Sequence, residues 1–328
     1  MNADIFAEWL RRRGRLVLRT ANSYWHSEGV RALQAFPYHW TIHPSEDELA
    51  QLWKDSHALS LRYSTSTDAP LGYLSYHTVL ETRRYEIENL GKWARKNVRR
   101  GLRNCSVEPI SFEDLAKKGW DLQCDTLARQ GRSRKLMRED WTELCLSAAA
   151  LPGFEAWGGL VQGQLAASVI TFVMQACCYM LYQQCRQEYL TSHVNNVLGF
   201  AVTQALLRRD GVNSVFYSLQ SLDAPPSVDE FKFRLGFSPK PVRQRVVFHP
   251  LCAPFINPIT HAFVRAAKAL RPGSPFFAKT EGMVRFYIEG KRSLNQQMRN
   301  APFFQIEAGH ASLADSDRGE AAHCPPIH

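Results

Sequence analysis

Between Glu155 and Pro250 the spacing of apolar residues changes period several times, and each change marks an element. Glu155 to Val161 is apolar and runs into the turn pair Gln162-Gly163. Leu165 to Met174, rich in Val, Ile, Thr and Phe, predicts a buried strand. Tyr179 to Gln183 continues the strand pattern after the small residues Ala176, Cys177 and Cys178. Val194, Val197, Leu198, Ala201, Val202, Ala205 and Leu206 then recur at alternating steps of three and one, which is one face of an amphipathic helix. Thr191 or Ser192 is placed to cap that helix, Arg208 and Arg209 suit the negative end of its dipole, and Gly211 ends it. Val212 to Leu219 returns to strand. Ser227 and Glu230 read as a capping box opening a short helix that Gly236 stops, and Val242 to Phe248 is the last strand before Pro250. Strands interrupted by helices at these places predict an α/β (α+β) unit with the long helix crossing over the sheet.

Upstream, Ile5, Phe6, Trp9 and Leu10 followed by three arginines predict an amphipathic helix over Asn2 to Arg13, without the continuous apolar core of a secretory signal. Leu16 to Leu18 reads as a first strand, and Phe36-Pro37-Tyr38 and Ile42-His43-Pro44 as loops. Ser45 with Glu48 is a capping box before Leu49, Leu52 and Trp53. Leu59 to Tyr63 and Leu71 to Leu80 read as strands. Lys92, Arg95, Lys96, Arg99 and Arg103 form a basic stripe at helical spacing, either a phosphate surface or a solvated helix face. A broken helical region from Ser111 to Ala150 contains a second basic cluster: Arg129, Arg132, Arg134, Lys135 and Arg138. After Pro250 the pattern predicts a loop, a helix from His261 to Leu270 with a basic side, and an appended helix within Phe276 to Arg299. From Glu307 onward there is little to bury, which predicts a disordered tail.

The net charge of +9 over 328 residues points to an anionic partner, but does not choose one. The uncharged run Leu165 to Tyr182 is long enough to span a bilayer, yet Gln175 interrupts it and β-branched residues crowd its first half. It is read as two buried strands, and the protein as soluble and cytoplasmic. The eight cysteines form no Cys-x-x-Cys pair and no His pair stands at metal spacing, so no metal site is expected. There is no Gly-x-Ser-x-Gly elbow, Walker loop or dinucleotide glycine fingerprint, which removes most support for hydrolase, ATPase and dehydrogenase readings.

Three pieces carry a family resemblance: the strand-turn-strand around Gln162-Gly163, the helix Asn195-Asn196-Val197-Leu198-Gly199-Phe200-Ala201, and Val228 to Phe237, where Phe231-Lys232 and Gly236-Phe237 frame three residues. Over the middle third, the chain resembles the GNAT acyltransferase fold in the branch that holds the Fem-type peptidyltransferases. The basic segment from Leu90 to Glu108 also resembles the helix and strand preceding the acyltransferase domain there. The resemblance implies a GNAT-like mixed central sheet flanked by helices, with two GNAT-like halves in tandem. Residues 1–110 would be a diverged first half, 111–250 the acyltransferase domain, 251–306 an appended helical segment and 307–328 the tail.

For function it implies an N-acyltransferase with acyl-CoA (acetyl-CoA) as co-substrate and an amine of a small molecule or amino sugar as acceptor. The amine attacks directly, so no nucleophilic residue is needed; the protein removes a proton, holds the carbonyl and returns a proton. By this resemblance the carbonyl lies where the middle strand parts, near Tyr182 to Gln184. Glu188 is then the candidate base, and Tyr189 or Tyr217 the acid, with a purely structural tyrosine as the alternative. Tyr182 and Gln183 flank the donor. His193, Asn195, Asn196 and Gly199 sit where the family's Gln/Arg-x-x-Gly-x-Gly/Ala run meets the pyrophosphate, with Asn196 in the first place. Lys232 and Arg132 are the candidates for substrate contact, against a solvated lysine and a surface loop. Two other functions stay open. One is an aminoacyl-tRNA donor carried on the basic clusters, disfavoured because no long heptad segment supplies a helical arm. The other is a non-catalytic binding module.

Overall fold

A computed structural model describes residues 2–131, 137–223 and 227–299. The polar-apolar spacing of the first residues gives helix α1 (Ala3–Arg12). Three strands follow, β1 (Val17–Arg19), β2 (Tyr24–Ser27) and β3 (Ala32–Phe36), then α2 (Glu46–Ser56), β4 (Ser60–Thr65) and β5 (Tyr73–Leu80). The Ser45/Glu48 capping box that opens α2 is present in both directions. Helix α3 (Lys92–Gly101) carries the basic stripe and leads into β6 (Cys105–Ile110). Helices α4 (Phe112–Lys118), α5 (Trp120–Arg129) and α6 (Arg138–Ala149) precede the strands β7 (Phe154–Val161), β8 (Gln164–Met174), β9 (Cys177–Met180) and β10 (Gln184–Cys185). Helix α7 (Val194–Leu207), β11 (Ser214–Leu219), α8 (Ser227–Arg234) and β12 (Ser238–Phe248) complete the sheet region, and α9 (Pro258–Leu270), α10 (Pro275–Glu289) and α11 (Leu294–Arg299) close the described chain.

The strands form one sheet in the order β1-β2-β3-β4-β12-β5-β11-β9-β8-β7-β6, with β10 paired to β8. Pairs β3–β4 and β9–β11 are parallel and the rest antiparallel, so the mixed central sheet flanked by helices expected from the sequence is present. Strand β12 lies between β4 and β5, so a strand from residues 238–248 is seated among strands of the first 80 residues.

Each face of the sheet has its own core. On one, α1, α4 and α6 pack on Phe154, Ile170, Phe172, Tyr179 and Phe216. Phe6 is the centre of this side, with ring centroids 5.3 Å from Phe172 and 6.1 Å from Phe154. On the other, α3 and α7 pack on Trp157, Ala167, Val169, Cys178 and Val215. No helix of the described residues is long and apolar enough to cross a membrane.

The hairpin of β2 and β3, turning at Gly29 with φ +75°, fills a stretch to which the sequence pattern assigned no element. Three local readings are corrected by the structure. Strand β9 stops at Met180 rather than Gln183, because the next residues bulge. Helix α7 is buried on nearly every side rather than along one face, since α3 and Leu235, just after α8, pack against it in addition to the sheet. No Thr191 or Ser192 side chain caps it: a 3-10 turn, Gln187–Ser192, winds into His193, which takes a left-handed conformation (φ +58°) and serves as N-cap without a side-chain bond.

Candidate active site

The site begins with a defect in strand pairing. Strands β9 and β11 run parallel through Cys177–Ser214, Cys178–Val215 and Tyr179–Phe216, and then separate. Each has a reason to leave. Between the pairs Thr171–Met180 and Ser168–Gln184, strand β8 advances three residues while the facing chain advances four, so one extra residue bulges out of Leu181 to Gln183. On β11 the register against β5 jumps between Phe216 and Ser218, leaving Tyr217 as the bulged residue. Two bulges at one level, on strands that face each other, open the sheet. The parting point thus lies just after Tyr179, earlier than the Tyr182 to Gln184 suggested by the sequence. The amides of Tyr182 and Gln183 make no hydrogen bond to another described residue.

A cavity of about 290 Å³ fills this opening, on the α1 side of the sheet. Its floor is Tyr179 to Tyr182 and Phe216 to Leu219, and its roof comes from Trp9, Arg13, Arg15, His26, Glu28 and Tyr38. Tyr38 shares a hydrogen bond of 2.9 Å with His26 Nε2. His26 Nδ1 lies 3.2 Å from the Ser27 carbonyl, which fixes the proton on Nδ1 and leaves Nε2 to accept from the Tyr38 hydroxyl. Burial drives the His26 ring down to about 4, against a smaller opposing pull from Glu28, so the imidazole is neutral at pH 7. Burial would raise the Glu28 carboxyl, but Lys279, 2.8 Å away, His26 and Arg15 outweigh it and hold the group at about 2. Burial, with Glu28 and Tyr182 nearby, pushes the Tyr38 hydroxyl well above the usual tyrosine range. Arg13 stacks over Trp9 at 4.6 Å and donates to the Tyr182 hydroxyl at 3.2 Å.

Several of the sequence candidates come together on the opposite rim. Tyr217 donates its hydroxyl proton to Gln183 Oε1, and Gln183 Nε2 donates to Asn195 Oδ1 at 2.7 Å. Tyr182 and Tyr217 both line the cavity. Burial, then Asp229, raises the Tyr217 hydroxyl, so it is protonated and a donor. Lys232 is buried rather than solvated: its Nζ donates to Asp229 at 2.6 Å and Ser218 at 2.7 Å and sits 5.1 Å over the Tyr217 ring, while Tyr76 donates to the other Asp229 oxygen at 2.7 Å. Burial lowers its ammonium, partly offset by Asp229.

Other candidates stand away from the cavity. The 3-10 turn directs Glu188 to solvent, where it is 59% exposed and pairs with Arg186 at 3.2 Å. Tyr189, on the same turn, packs against the core on the α7 side. The first amides of α7 at Asn196 and Val197 donate to the His193 carbonyl. Helix α3 lies against that helix start: a Cβ on Gly101 would fall 2.4 Å from Val197 and 3.2 Å from the His193 carbonyl. Gly199 is a packing glycine, since a Cβ there would meet Leu235 at 2.8 Å. The buried Asn196 amide nitrogen has no partner among the described residues. Arg132 lies outside the described residues.

Sequence reasoning missed the roof: Arg13, Arg15, His26, Glu28 and Tyr38. One signal was available, the strand-forming pair Tyr24-Trp25 ahead of the turn residue Gly29.

A scan against protein-family models and a search of curated proteins found no match to this sequence. Solved structures do match. One is FemX, at 10% identity with a TM-score of 0.52, covering 76% of this chain and 92% of that one. Another is the C-terminal domain (DUF2156) of an Agrobacterium fabrum protein described as a lysylphosphatidylglycerol synthetase. It is 14% identical with a TM-score of 0.51, covering 74% of this chain and 87% of the other. The chain therefore shares the fold of FemX and of that domain.

Proposed function

We propose that this protein is an acyltransferase that passes an acyl group from a thioester or ester donor to an amine. The observation that carries this reading is the double bulge, which opens the sheet between β9 and β11 onto a cavity with an ionised carboxylate and a neutral histidine on its wall. The donor carbonyl lies in the gap, where the amides of Tyr182 and Gln183 are free to hold its oxygen as negative charge develops. The acceptor enters the cavity as an ammonium drawn by Glu28. Tyr38 takes its proton as its own passes to His26 Nε2, and the freed amine attacks the carbonyl carbon. Collapse of the adduct breaks the bond to the leaving sulfur or oxygen, and the Tyr217 hydroxyl supplies the proton it needs.

Acyl-CoA is the first donor proposed. With α3 lying on the start of α7, its phosphates would be met by His193 and by the Arg100 side chain beside it. The second donor, aminoacyl-tRNA, is favoured by the exposed basic side chains of α3, Lys92, Lys96, Arg99 and Arg100, at the same place.

Calorimetry with acetyl-CoA, followed by transfer assays on a panel of amines, tests the reading. Micromolar binding is expected, with Tyr38→Phe lowering transfer by about 100-fold at unchanged donor affinity. Absence of acetyl-CoA binding, with aminoacyl-tRNA binding that falls steeply with salt, moves the donor to RNA. If neither binds, the acyltransferase reading fails.

A further inference from the structure

Helix α9 is inverted relative to an ordinary surface helix. At 100° per residue, Ile259, Phe263, Ala266 and Leu270 share one face, and that face points to solvent: Phe263 is 72% exposed and Leu270 84%. Two of its polar side chains point inward. His261 Nε2 and Lys268 Nζ reach the buried Glu281 carboxylate of α10 at 3.0 and 3.1 Å, and Arg285 joins them at 3.3 Å. Asn257 Oδ1 caps the helix by accepting from Ile259 and Thr260, each at 3.0 Å. The helix is thus clamped with its apolar side outward before anything binds. Leu251 and Phe255 before it, and Phe276 after it, extend the exposed apolar surface. Contiguous patches of this kind on a soluble surface mark a docking site.

Charge identifies the partner. Of the four basic residues from 251 to 280, Lys268 and Lys279 are paired with Glu281 and Glu28, which leaves Arg265 and Arg271 as the charges offered outward, with no Asp or Glu in that stretch. Arg265 on the helix and Arg271 at its C-terminal end are exposed, with side chains long enough to reach headgroup phosphates while Phe263 and Leu270 enter the acyl boundary. A second copy packed across a two-fold axis would set this cationic rim against itself. We propose that α9 with its flanks is an interfacial anchor that seats the protein on an anionic lipid bilayer.

Co-sedimentation of the full chain with phosphatidylcholine vesicles, with and without phosphatidylglycerol, tests this. Binding is expected with phosphatidylglycerol and is weakened by salt. Phe263→Ser combined with Leu270→Ser should lower it by roughly 10- to 100-fold. Arg265→Glu with Arg271→Glu, which leaves the apolar face intact, should lower it by at least about tenfold. All four substituted positions are exposed, and unchanged thermal melting checks the fold of each variant. Equal sedimentation of the wild type and both variants overturns the proposal. So does a wild type that stays in solution: if sedimentation velocity then shows a dimer that Phe263→Ser/Leu270→Ser dissolves, the face joins two copies, and if it shows a monomer, the face is covered by protein rather than lipid.

Discussion

The two faces of the sheet around β9 and β11 each carry a large apolar core, richer in aromatic rings on the α1 side, and it is the α1 side that holds the cavity. On the α7 side, glycines at 101, 159 and 199 let helices and strands approach until a single added methyl would clash, and Gln183 is tied to Asn195 and Lys232 to Asp229. On the α1 side, Phe6 fills the centre, but Arg13, His26, Glu28 and Tyr38 hold a cavity over the parted strands. Close packing spends the chain's small residues on rigidity, while the titratable groups are collected where packing stops. The difference teaches that chemistry should be sought on the α1 side and stability on the α7 side.

The largest effect should come from the packed side. Lys232→Met removes one partner of a buried pair and leaves Asp229 charged, which should cost about 3–5 kcal/mol in a urea titration. Adding Asp229→Asn should restore most of it, and a mild effect of Lys232→Met alone would break the contrast between the faces. The cavity side should show itself through pH. Burial pushes His26 down to about 4 and His77 to about 3, whereas both titrate near 6.5 in the unfolded chain. Below that value the unfolded chain binds more protons, so stability is full above pH 6.5 and falls as the pH drops toward the folded values. Each ring should take away roughly 2 kcal/mol by about pH 5, and His77→Gln should flatten the slope by its share. A pH-independent midpoint would contradict buried neutral imidazoles. The smallest effect is assigned to Glu188→Gln, which lies on neither face: activity should stay within about twofold, because exposed pairs contribute little. A large loss there would return the base to the position that sequence order suggested.

Much of the fold was legible because long apolar elements state their own type. Leu165 to Met174 and Val194 to Leu206 read as strand and helix from composition and period alone. The end of β9 was not, since Leu181 and Tyr182 continue the apolar pattern through a bulge that only the partner strand defines. The site was half legible. Tyr182, Gln183, Asn195 and Tyr217 are close in sequence or in family pattern; Gln183, Asn195 and Tyr217 are joined by hydrogen bonds, and Tyr182 lines the same cavity as Tyr217. The roof groups come from the first 40 residues, with no local signal linking them to Tyr179 more than a hundred positions on. Glu188 is near the parting strand in sequence, but a single 3-10 turn is enough to point it outward. Helix α9 shows the same limit: periodicity revealed a basic side, and only the ion pairs with Glu281 show that this side faces inward.

The seating of β12 between β4 and β5 also has a consequence for biosynthesis. Hydrogen-bonding edges of β4 and β5 are complete as soon as Leu80 has been made, but the strand that joins them ends at Phe248. At the usual pace of translation the nascent chain carries those two bare edges for roughly 10 to 30 s. Throughout that interval the ribosome-bound protein is a template for unwanted strand addition, so its yield should depend on nascent-chain chaperones more than its final stability would suggest.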